Sequence, residues 1–234
     1  MRPLTTSILC AAAIAVPALA WQQTAPAETA EAAPAAETTY VAPGVMTTPP
    51  MEGAAGAGST ISAVEAGSYT VDPGHTIVSF TVDHMGITSY TGQFGDPSGT
   101  LQLDPANPAA ASVEVTFPIA SVSTTSADLD KHLQSADFFD AANNPEAKFV
   151  STEVVVEGDR AAIRGDLTLA GVTKPVVLQT KFYGAGPNPM SKELNIGFRA
   201  STTIKRSDFG IDYGLPMVSD EVILLIDAAF IKQG

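Results

Sequence analysis

Cysteine and basic residues are scarce in this sequence. It has one cysteine in 234 residues, and 12 lysines and arginines against 25 aspartates and glutamates. A single cysteine cannot form a disulfide within the chain, so the fold must be held together by its core. The formal net charge of −13 makes nucleic acid an unfavourable partner, because both molecules are negatively charged. We therefore expect no nucleic-acid partner.

Long apolar runs are missing as well. The run from Ile8 to Val16 is too short to span a bilayer as a helix. It follows Arg2 and precedes an Ala-Leu-Ala sequence that ends at Ala20, an order typical of a cleaved secretory signal peptide. Residues 1–20 are therefore predicted to direct export, and a periplasmic location is expected. The mature protein would then lack Cys10 and have no cysteine.

Residues 21–66 are poor in large apolar side chains. They consist mainly of Ala, Pro, Glu, Thr and Gly, and they contain acidic residues but no Lys or Arg. Such a segment cannot bury enough apolar surface to offset the entropy of ordering the chain. We interpret it as a flexible, extended tether.

Residues 67–234 show a different pattern, in which apolar and polar positions alternate. The period of two recurs at 77–82, 163–169, 176–182, 194–204 and 222–230, as expected for strands with one buried face. Turn sequences rich in Pro and Gly separate these segments, and about eight strands are expected. The fold class is therefore all-β and antiparallel. Long strands favour a closed barrel over a sandwich, because closure removes exposed edges.

One segment breaks the alternation. Ser126 is a candidate N-cap, and Leu129, His132 and Leu133 follow at helical spacing. We predict one short helix here, followed by a corner at residues 137–140.

The sequence allows a cavity inside such a barrel. A barrel of about eight strands is either filled by its own side chains or holds one small ligand. The predicted inward set includes Gly165, Gly197 and Ala228, which leave room for another group.

Residue patterns typical of hydrolases and metal sites are absent from the sequence. It contains no Gly-x-Ser-x-Gly and no His-Glu-x-x-His. Asp137 and Asp140 could perform acid–base chemistry, but such aspartates more often cap turns. His75, His84 and His132 do not stand at the short spacing of metal motifs. We predict a protein that is not an enzyme and binds no metal.

The stretch at 72–86 contains two of these histidines. His75 and His84 are separated by an odd number of positions, which places them on opposite faces of one regular strand. His84 shares its parity with Val78, Phe80 and Val82, so it is predicted to face inward, while His75 lies in a turn. His84 either caps the strand or contacts the polar end of a ligand, and both interpretations stay open.

Five motifs occur in order along the domain, and each is weak alone. They are Asp72, His75 and His84; the segment 132–140; Leu-x-Gly-x-x-Lys-Pro at 169–175; Arg206, Asp208, Phe209 and Gly210; and Asp220, Glu221 and Val222. Together they resemble the YceI-like family of periplasmic polyisoprenoid-binding proteins. One position departs from the family's Arg-Asp-x-His-Leu motif, since Leu129 stands where the arginine is usual.

The resemblance implies a lipocalin-like barrel with an apolar tunnel for a long isoprenoid lipid, such as a polyprenyl phosphate or a quinone. We therefore predict a periplasmic carrier that needs no cofactor beyond its bound lipid. The alternatives are a stress-related or structural envelope protein with a filled barrel and, less favoured, a lipid-modifying enzyme. Transient membrane contact and a homodimer are further expectations. The predicted tunnel wall and mouth comprise Val78, Phe80, Val82, His84, Phe94, Phe138, Phe139, Leu167, Leu169, Leu178, Phe182, Ile196, Phe198, Phe209, Leu224 and Ile226.

Overall fold

The computed structural model describes residues 61–234. The predicted signal peptide, 1–20, and most of the predicted tether, 21–66, lie outside these residues. The last part of that tether is described. It forms the 3₁₀ helix Ile61–Ala63, and Val64 is buried against the barrel.

The described chain consists mainly of antiparallel strands. They are β1 Gly67–Val71, β2 Ile77–His84, β3 Thr88–Phe94, β4 Ser98–Leu103, β5 Ser112–Pro118, β6 Glu146–Glu157, β7 Arg160–Leu169, β8 Val172–Pro187, β9 Leu194–Lys205 and β10 Glu221–Lys232. One α-helix, α1 Ala127–Leu133, occurs within residues 61–234. Further 3₁₀ helices span Pro108–Ala110, Ile119–Ser121 and Arg206–Phe209.

The sheet closes on itself. Its order is β1-β4-β5-β6-β7-β8-β9-β10-β2-β3, and β1 also pairs with β10. Both β1 and β2 lie along β10, since Val71 pairs with Phe230 and Ile77 pairs with Asp227. The two strands are thus halves of one interrupted barrel strand, and β3 and β4 are halves of the next. The result is a closed antiparallel barrel of eight strands with one helix, which confirms the predicted fold class.

The first interruption follows from the Asp-Pro-Gly sequence at 72–74. Proline has no N–H to donate to a neighbouring strand. The Asp72 carboxylate instead accepts a hydrogen bond from the backbone N–H of Gly74 at 3.0 Å. The hydroxyl of Thr76 then restores the connection to β10, because it donates to the carbonyl of Ala229 and accepts from the N–H of the same residue.

The predicted helix and its cap are present. The side chain of Ser126 accepts a hydrogen bond from the N–H of Leu129 at 3.3 Å. The chain then folds back, and the N–H of Phe139 donates to the carbonyl of Leu133 at 3.1 Å. This return places Phe138 and Phe139 against the core at one end of the barrel.

The hydrophobic core is divided into two clusters. We call the barrel end that carries α1 and the 3₁₀ helix Arg206–Phe209 the helix end, and the end that carries the turns at 158–159 and 188–193 the hairpin end. The helix-end cluster consists of Phe94, Ile119, Val122, Leu133, Leu169, Ile204, Phe209, Ile211 and Val222. The hairpin-end cluster consists of Val64, Tyr69, Val71, Leu101, Ala185, Ile196 and Phe230.

Candidate functional site

A cavity of about 660 Å³ runs inside the barrel. Strands β2 to β10 contribute residues to its lining. Helix α1 and the connections at both barrel ends contribute further residues. Most of the lining side chains are aliphatic or aromatic, and the lining surface is almost wholly apolar. The space is within the range of about 300–1,000 Å³ that is usual for ligand sites.

Strand alternation places most of the predicted wall residues on this cavity. The lining includes Val78, Phe80, Val82, His84, Phe94, Phe138, Phe139, Leu167, Leu169, Leu178, Phe182, Phe198, Leu224 and Ile226. Their contact with a ligand stays a prediction, but their position on the wall is a feature of the structure.

Two of the predicted wall residues do not line the cavity. Strand alternation directs the side chain of Ile196 inward, but this side chain is 1% exposed and packs within the hairpin-end cluster. Phe209 is 2% exposed and packs within the helix-end cluster, in a 3₁₀ helix where strand parity does not apply. Both side chains close an end of the barrel.

Gly197 was also predicted to face inward, and that prediction is wrong. The nearest side chain to a Cβ at this position is that of Tyr183, which is 63% exposed. Gly165 does face inward, and a Cβ there would overlap the ring of Phe149, so this glycine makes room for an aromatic wall residue.

One side of the wall was not predicted from the sequence. The residues concerned come from β4, β5 and β6, and they include Leu101, Val113, Val115, Phe117, Phe149 and Val154. The signal was present, because 112–117 reads Ser-Val-Glu-Val-Thr-Phe and alternates with a period of two.

Aromatic rings concentrate at the helix end of the cavity. The ring centroids of Phe80 and Phe94 are 5.6 Å apart, and those of Phe94 and Phe139 are 5.5 Å apart. The ring centroids of Phe138 and Tyr213 are 5.2 Å apart. Tilted and edge-on pairs at these distances are favourable, so they stabilise this end.

Two of the three histidines reach the cavity. His84 lines it, as its parity predicted, and so does His132. His132 Nε2 lies 2.9 Å from the carboxylate of Asp137, and its ring meets Phe138 and Tyr213 edge-on at 5.0 Å.

The third histidine lies outside. The His75 side chain is 74% exposed, and its Nδ1 lies 2.8 Å from the carboxylate of Asp72. Within residues 61–234, no three His, Cys, Asp or Glu side chains are grouped so that they could hold one metal ion.

A buried cation stabilises the helix end. Arg206 is 5% exposed and lines the cavity. Its guanidinium donates hydrogen bonds to the carbonyls of Ile211, Tyr213, Val218 and Ser219 at 2.8–3.1 Å. Burial lowers the pKa of Arg206, and the nearby Asp220 and Asp212 act in the opposite direction. Four of its donors are thus committed to the loop between β9 and β10, so its role here is to fix that loop.

The hairpin end of the cavity is built differently. Its lining includes Val156, Gly158, Asp159 and Arg160, all of which are exposed. The charged side chains in this part of the lining, Asp159 and Arg160, are therefore in contact with solvent.

None of the described helices is long and apolar enough to cross a membrane.

The barrel and its enclosed apolar cavity define a lipocalin-like class of protein. Comparison with known proteins narrows this class. The chain belongs to the family of the YceI-like domain, whose model matches residues 69–230. Protein YceI of Escherichia coli O157:H7 is 43% identical over 179 residues, covering 76% of this chain and 91% of that protein.

Two solved structures have a similar fold. The crystal structure of Burkholderia cenocepacia BcnA aligns with a TM-score of 0.61 and 26% identity, over 68% of this chain and 98% of that one. A polyisoprenoid-binding domain from Saccharophagus degradans aligns with a TM-score of 0.56 over 70% of this chain and 98% of that one. Its sequence identity is 16%, so it shows a shared fold.

Proposed function

We propose that this protein is a periplasmic carrier that binds a long isoprenoid lipid, of the polyprenyl phosphate or quinone type, in its barrel cavity. The observation that carries the proposal is the cavity of about 660 Å³ with an almost wholly apolar wall. An apolar wall favours a hydrocarbon chain, because burial removes the chain from water. The polyisoprenoid-binding domain of Saccharophagus degradans, which has this fold, supports the choice of an isoprenoid.

The energetics favour an exchanging carrier over a permanent store. Each methylene gains about 0.8 kcal/mol on leaving water. An isoprenoid resides in a membrane, however, and its transfer from lipid into an apolar cavity gains little per carbon. The net affinity must then come from shape and from contacts to the polar end of the ligand. Transient contact with a membrane during loading is part of this proposal.

The alternatives are less well supported. A structural protein with a filled barrel would have no cavity of this size. An enzyme would need a nucleophile beside a base. His132 lines the cavity and pairs with the carboxylate of Asp137, and the hydroxyl of Ser135 donates to the backbone carbonyl of His132 at 2.7 Å, so it is engaged with the backbone. A homodimer stays a prediction.

The proposal is tested by extracting the protein from its native compartment and identifying what co-purifies by mass spectrometry. We expect a polyprenyl or quinone species in about equimolar amount. The bound lipid should also exchange with an excess of lipid vesicles within hours. If nothing co-purifies and added isoprenoids do not bind, the carrier function is wrong.

The predicted export is tested separately. The mature protein isolated from the periplasmic fraction should begin at Trp21, which N-terminal sequencing can establish. A protein that keeps Met1 and remains in the cytoplasm would contradict the predicted signal peptide.

A further inference from the structure

Four large apolar or aromatic side chains are exposed to solvent at the helix end of the barrel. Met85 and Ile87 lie in the turn between β2 and β3, and Tyr213 and Met217 lie in the loop between β9 and β10. Their exposed fractions range from 51% to 80%. The turn and the loop are neighbours, because the N–H of Met85 donates to the carbonyl of Met217 at 2.7 Å. We call these four residues the tip patch, and grouped apolar exposure of this kind marks an interaction surface.

The tip patch is continuous with the lining of the cavity. His84 precedes Met85 and Val218 follows Met217, and the backbones of His84 and Val218 pair in an antiparallel bridge. Both of these residues line the cavity. Tyr213 belongs to the patch and also lines the cavity, although half of its surface is exposed. A molecule that rests on the tip patch is therefore next to the interior of the barrel.

The two segments that carry the tip patch contain no Asp, Glu, Lys or Arg. They are residues 84–95 and 213–219, in a chain whose formal net charge is −13. The carboxylate of Asp83, just before the first segment, accepts a hydrogen bond from the N–H of Gly86 at 2.6 Å. The hairpin end differs, because its turn at 157–160 alone contains Glu, Asp and Arg, all exposed. The uncharged end suits a lipid surface without net charge, since the chain as a whole is repelled by an anionic one.

Met85 occupies a position at which the backbone favours a different residue. Met85 and Gly86 both have positive φ, 62° and 66°, and the N–H of Ile87 donates to the carbonyl of His84 at 3.2 Å. These are features of a type I′ turn, in which Asn, Asp or Gly is favoured at the first central position. Methionine is less stable in this conformation, and its exposed side chain gains little from packing within the described chain. An apolar residue at this position is explained if its side chain is buried against another surface.

The tip patch is held in place by hydrogen bonds. The guanidinium of Arg206 donates to the carbonyls of Tyr213 and Val218, and the N–H of Ser219 donates to the carbonyl of Asp83 at 2.9 Å. Loops that are already ordered lose little conformational entropy on docking. Four side chains on two connections cannot supply the roughly 800 Å² that each partner contributes to a standard protein interface. Insertion into a lipid surface requires no such area, because each buried apolar side chain adds to the binding.

We propose that the tip patch docks on a lipid surface without net charge, and that Met85, Ile87 and Met217 insert among the head groups. Docking in this way brings the cavity lining at Tyr213 against the membrane. The inference rests on the proposed carrier function and assigns the surface through which the cavity is loaded. Because the patch is uncharged, its binding to neutral vesicles does not depend on salt, and anionic lipid weakens it.

The test measures partitioning of the protein onto vesicles of phosphatidylcholine and phosphatidylethanolamine by flotation. Ile87→Glu and Met217→Glu each place a charge in the tip patch. Met190→Glu is the matched control, because Met190 is 92% exposed in the turn at the hairpin end. Met85→Asn introduces a residue that the turn favours and removes the apolar side chain. Farnesol, a three-isoprene alcohol delivered from water, measures ligand binding separately by displacement of bound 1-aminoanthracene.

We expect Ile87→Glu and Met217→Glu to lower the partition coefficient roughly tenfold or more, because each loses a buried apolar side chain and gains a charge. Met85→Asn should also lower it, and its thermal midpoint should equal or exceed that of the wild type, which separates lipid contact from turn stability. Met190→Glu should partition like the wild type. All four variants should bind farnesol with unchanged affinity, since none of these residues lines the cavity.

Two results would overturn the docking inference while farnesol binding leaves the carrier function intact. The first is a wild-type protein that does not float with the vesicles, or patch variants that float as well as Met190→Glu. The second is a change of oligomeric state in Ile87→Glu, which would assign the tip patch to a contact between copies of this chain. If the wild-type protein binds no farnesol, the carrier function itself fails.

Discussion

The two ends of the barrel are closed in different ways. The hairpin end is closed by strand residues together with Val64, and its buried cluster consists of aliphatic and aromatic side chains. The helix end is closed by two long connections, and it contains a buried guanidinium that holds four loop carbonyls. Between them lies the cavity. The comparison shows that the two buried clusters lie at the ends of the barrel, with the cavity between them.

The largest effect should come from Arg206→Met. The loss of the guanidinium leaves four carbonyls of the β9–β10 loop without their donor, so we expect the free energy of unfolding to fall by about 3–5 kcal/mol. Urea unfolding monitored by circular dichroism measures this change. The matched control is Arg164→Met, because the Arg164 side chain is 61% exposed and pairs with Glu153 at the surface. That variant should lose less than about 1 kcal/mol, and equal losses would contradict the assigned role of Arg206.

A smaller effect is expected at the hairpin end. Ile196 is 1% exposed, and Ile196→Ala should lower the free energy of unfolding by about 2–4 kcal/mol. Leu178→Ala should lower it by less, about 1–2 kcal/mol, because Leu178 already faces the cavity and has fewer contacts to lose. Ligand affinity should respond in the opposite order, with Leu178→Ala the more affected. A larger loss of stability for Leu178→Ala than for Ile196→Ala would show that the cavity wall contributes more to the free energy of unfolding than the end cluster does.

The cavity itself can be blocked. Ala200 lines it, whereas Ser201 points to the outer face of β9. Ala200→Phe should therefore weaken isoprenoid binding more than tenfold, about 1.4 kcal/mol, because the ring occupies ligand space. Ser201→Phe adds the same ring outside and should leave affinity unchanged. Equal affinities for the two variants would place the ligand elsewhere.

The smallest effect concerns Asp220 at the helix end. It accepts hydrogen bonds from the N–H and the hydroxyl of Ser207 at 2.9 and 2.8 Å, and the backbone bond in particular lowers the pKa of Asp220. A lowered pKa stabilises the folded state above the ordinary value of about 3.9, and this stabilisation is lost as pH falls through the lower folded value. Asp220→Asn should thus lose less than about 1 kcal/mol at pH 7, and the deficit should shrink in acid.

Urea unfolding at neutral pH and at acidic pH checks this dependence. Asp166→Asn, a change at an exposed position of β7, provides the comparison and should change stability little at either pH. A deficit for Asp220→Asn that stays constant as pH falls would mean that its charge is not what stabilises the loop.

Much of the fold follows from local pattern. Alternation with a period of two predicted the strands, and the helix around Leu129 followed from its spacing and its Ser126 cap. The same alternation placed His84 on the cavity and His75 outside it. These features depend on neighbours in the chain, so a sequence contains the information directly.

The features that sequence reasoning missed depend on distant parts of the chain. Strand alternation predicts that Ile196 and Phe198 both point inward. Ile196 is nevertheless buried in the cluster that contains Tyr69 and Phe230, whereas Phe198 lines the cavity. Phe209 was predicted at the tunnel wall or mouth, and only the side chains of the helix-end cluster around it decide that it is buried at the end of the barrel.

The sequence by itself determined that this chain forms a closed antiparallel barrel with an apolar inner face, because alternation and turn residues act locally. Only the tertiary structure decided that the barrel contains a cavity, that Arg206 serves the loop, and that the hydroxyl of Thr180 on the cavity wall has no hydrogen-bond partner within residues 61–234. The physical reason is that cavity volume and hydrogen-bond satisfaction are set by side chains from all strands at once. A single stretch of sequence therefore cannot show whether a barrel encloses a cavity or leaves a buried hydroxyl without a hydrogen bond.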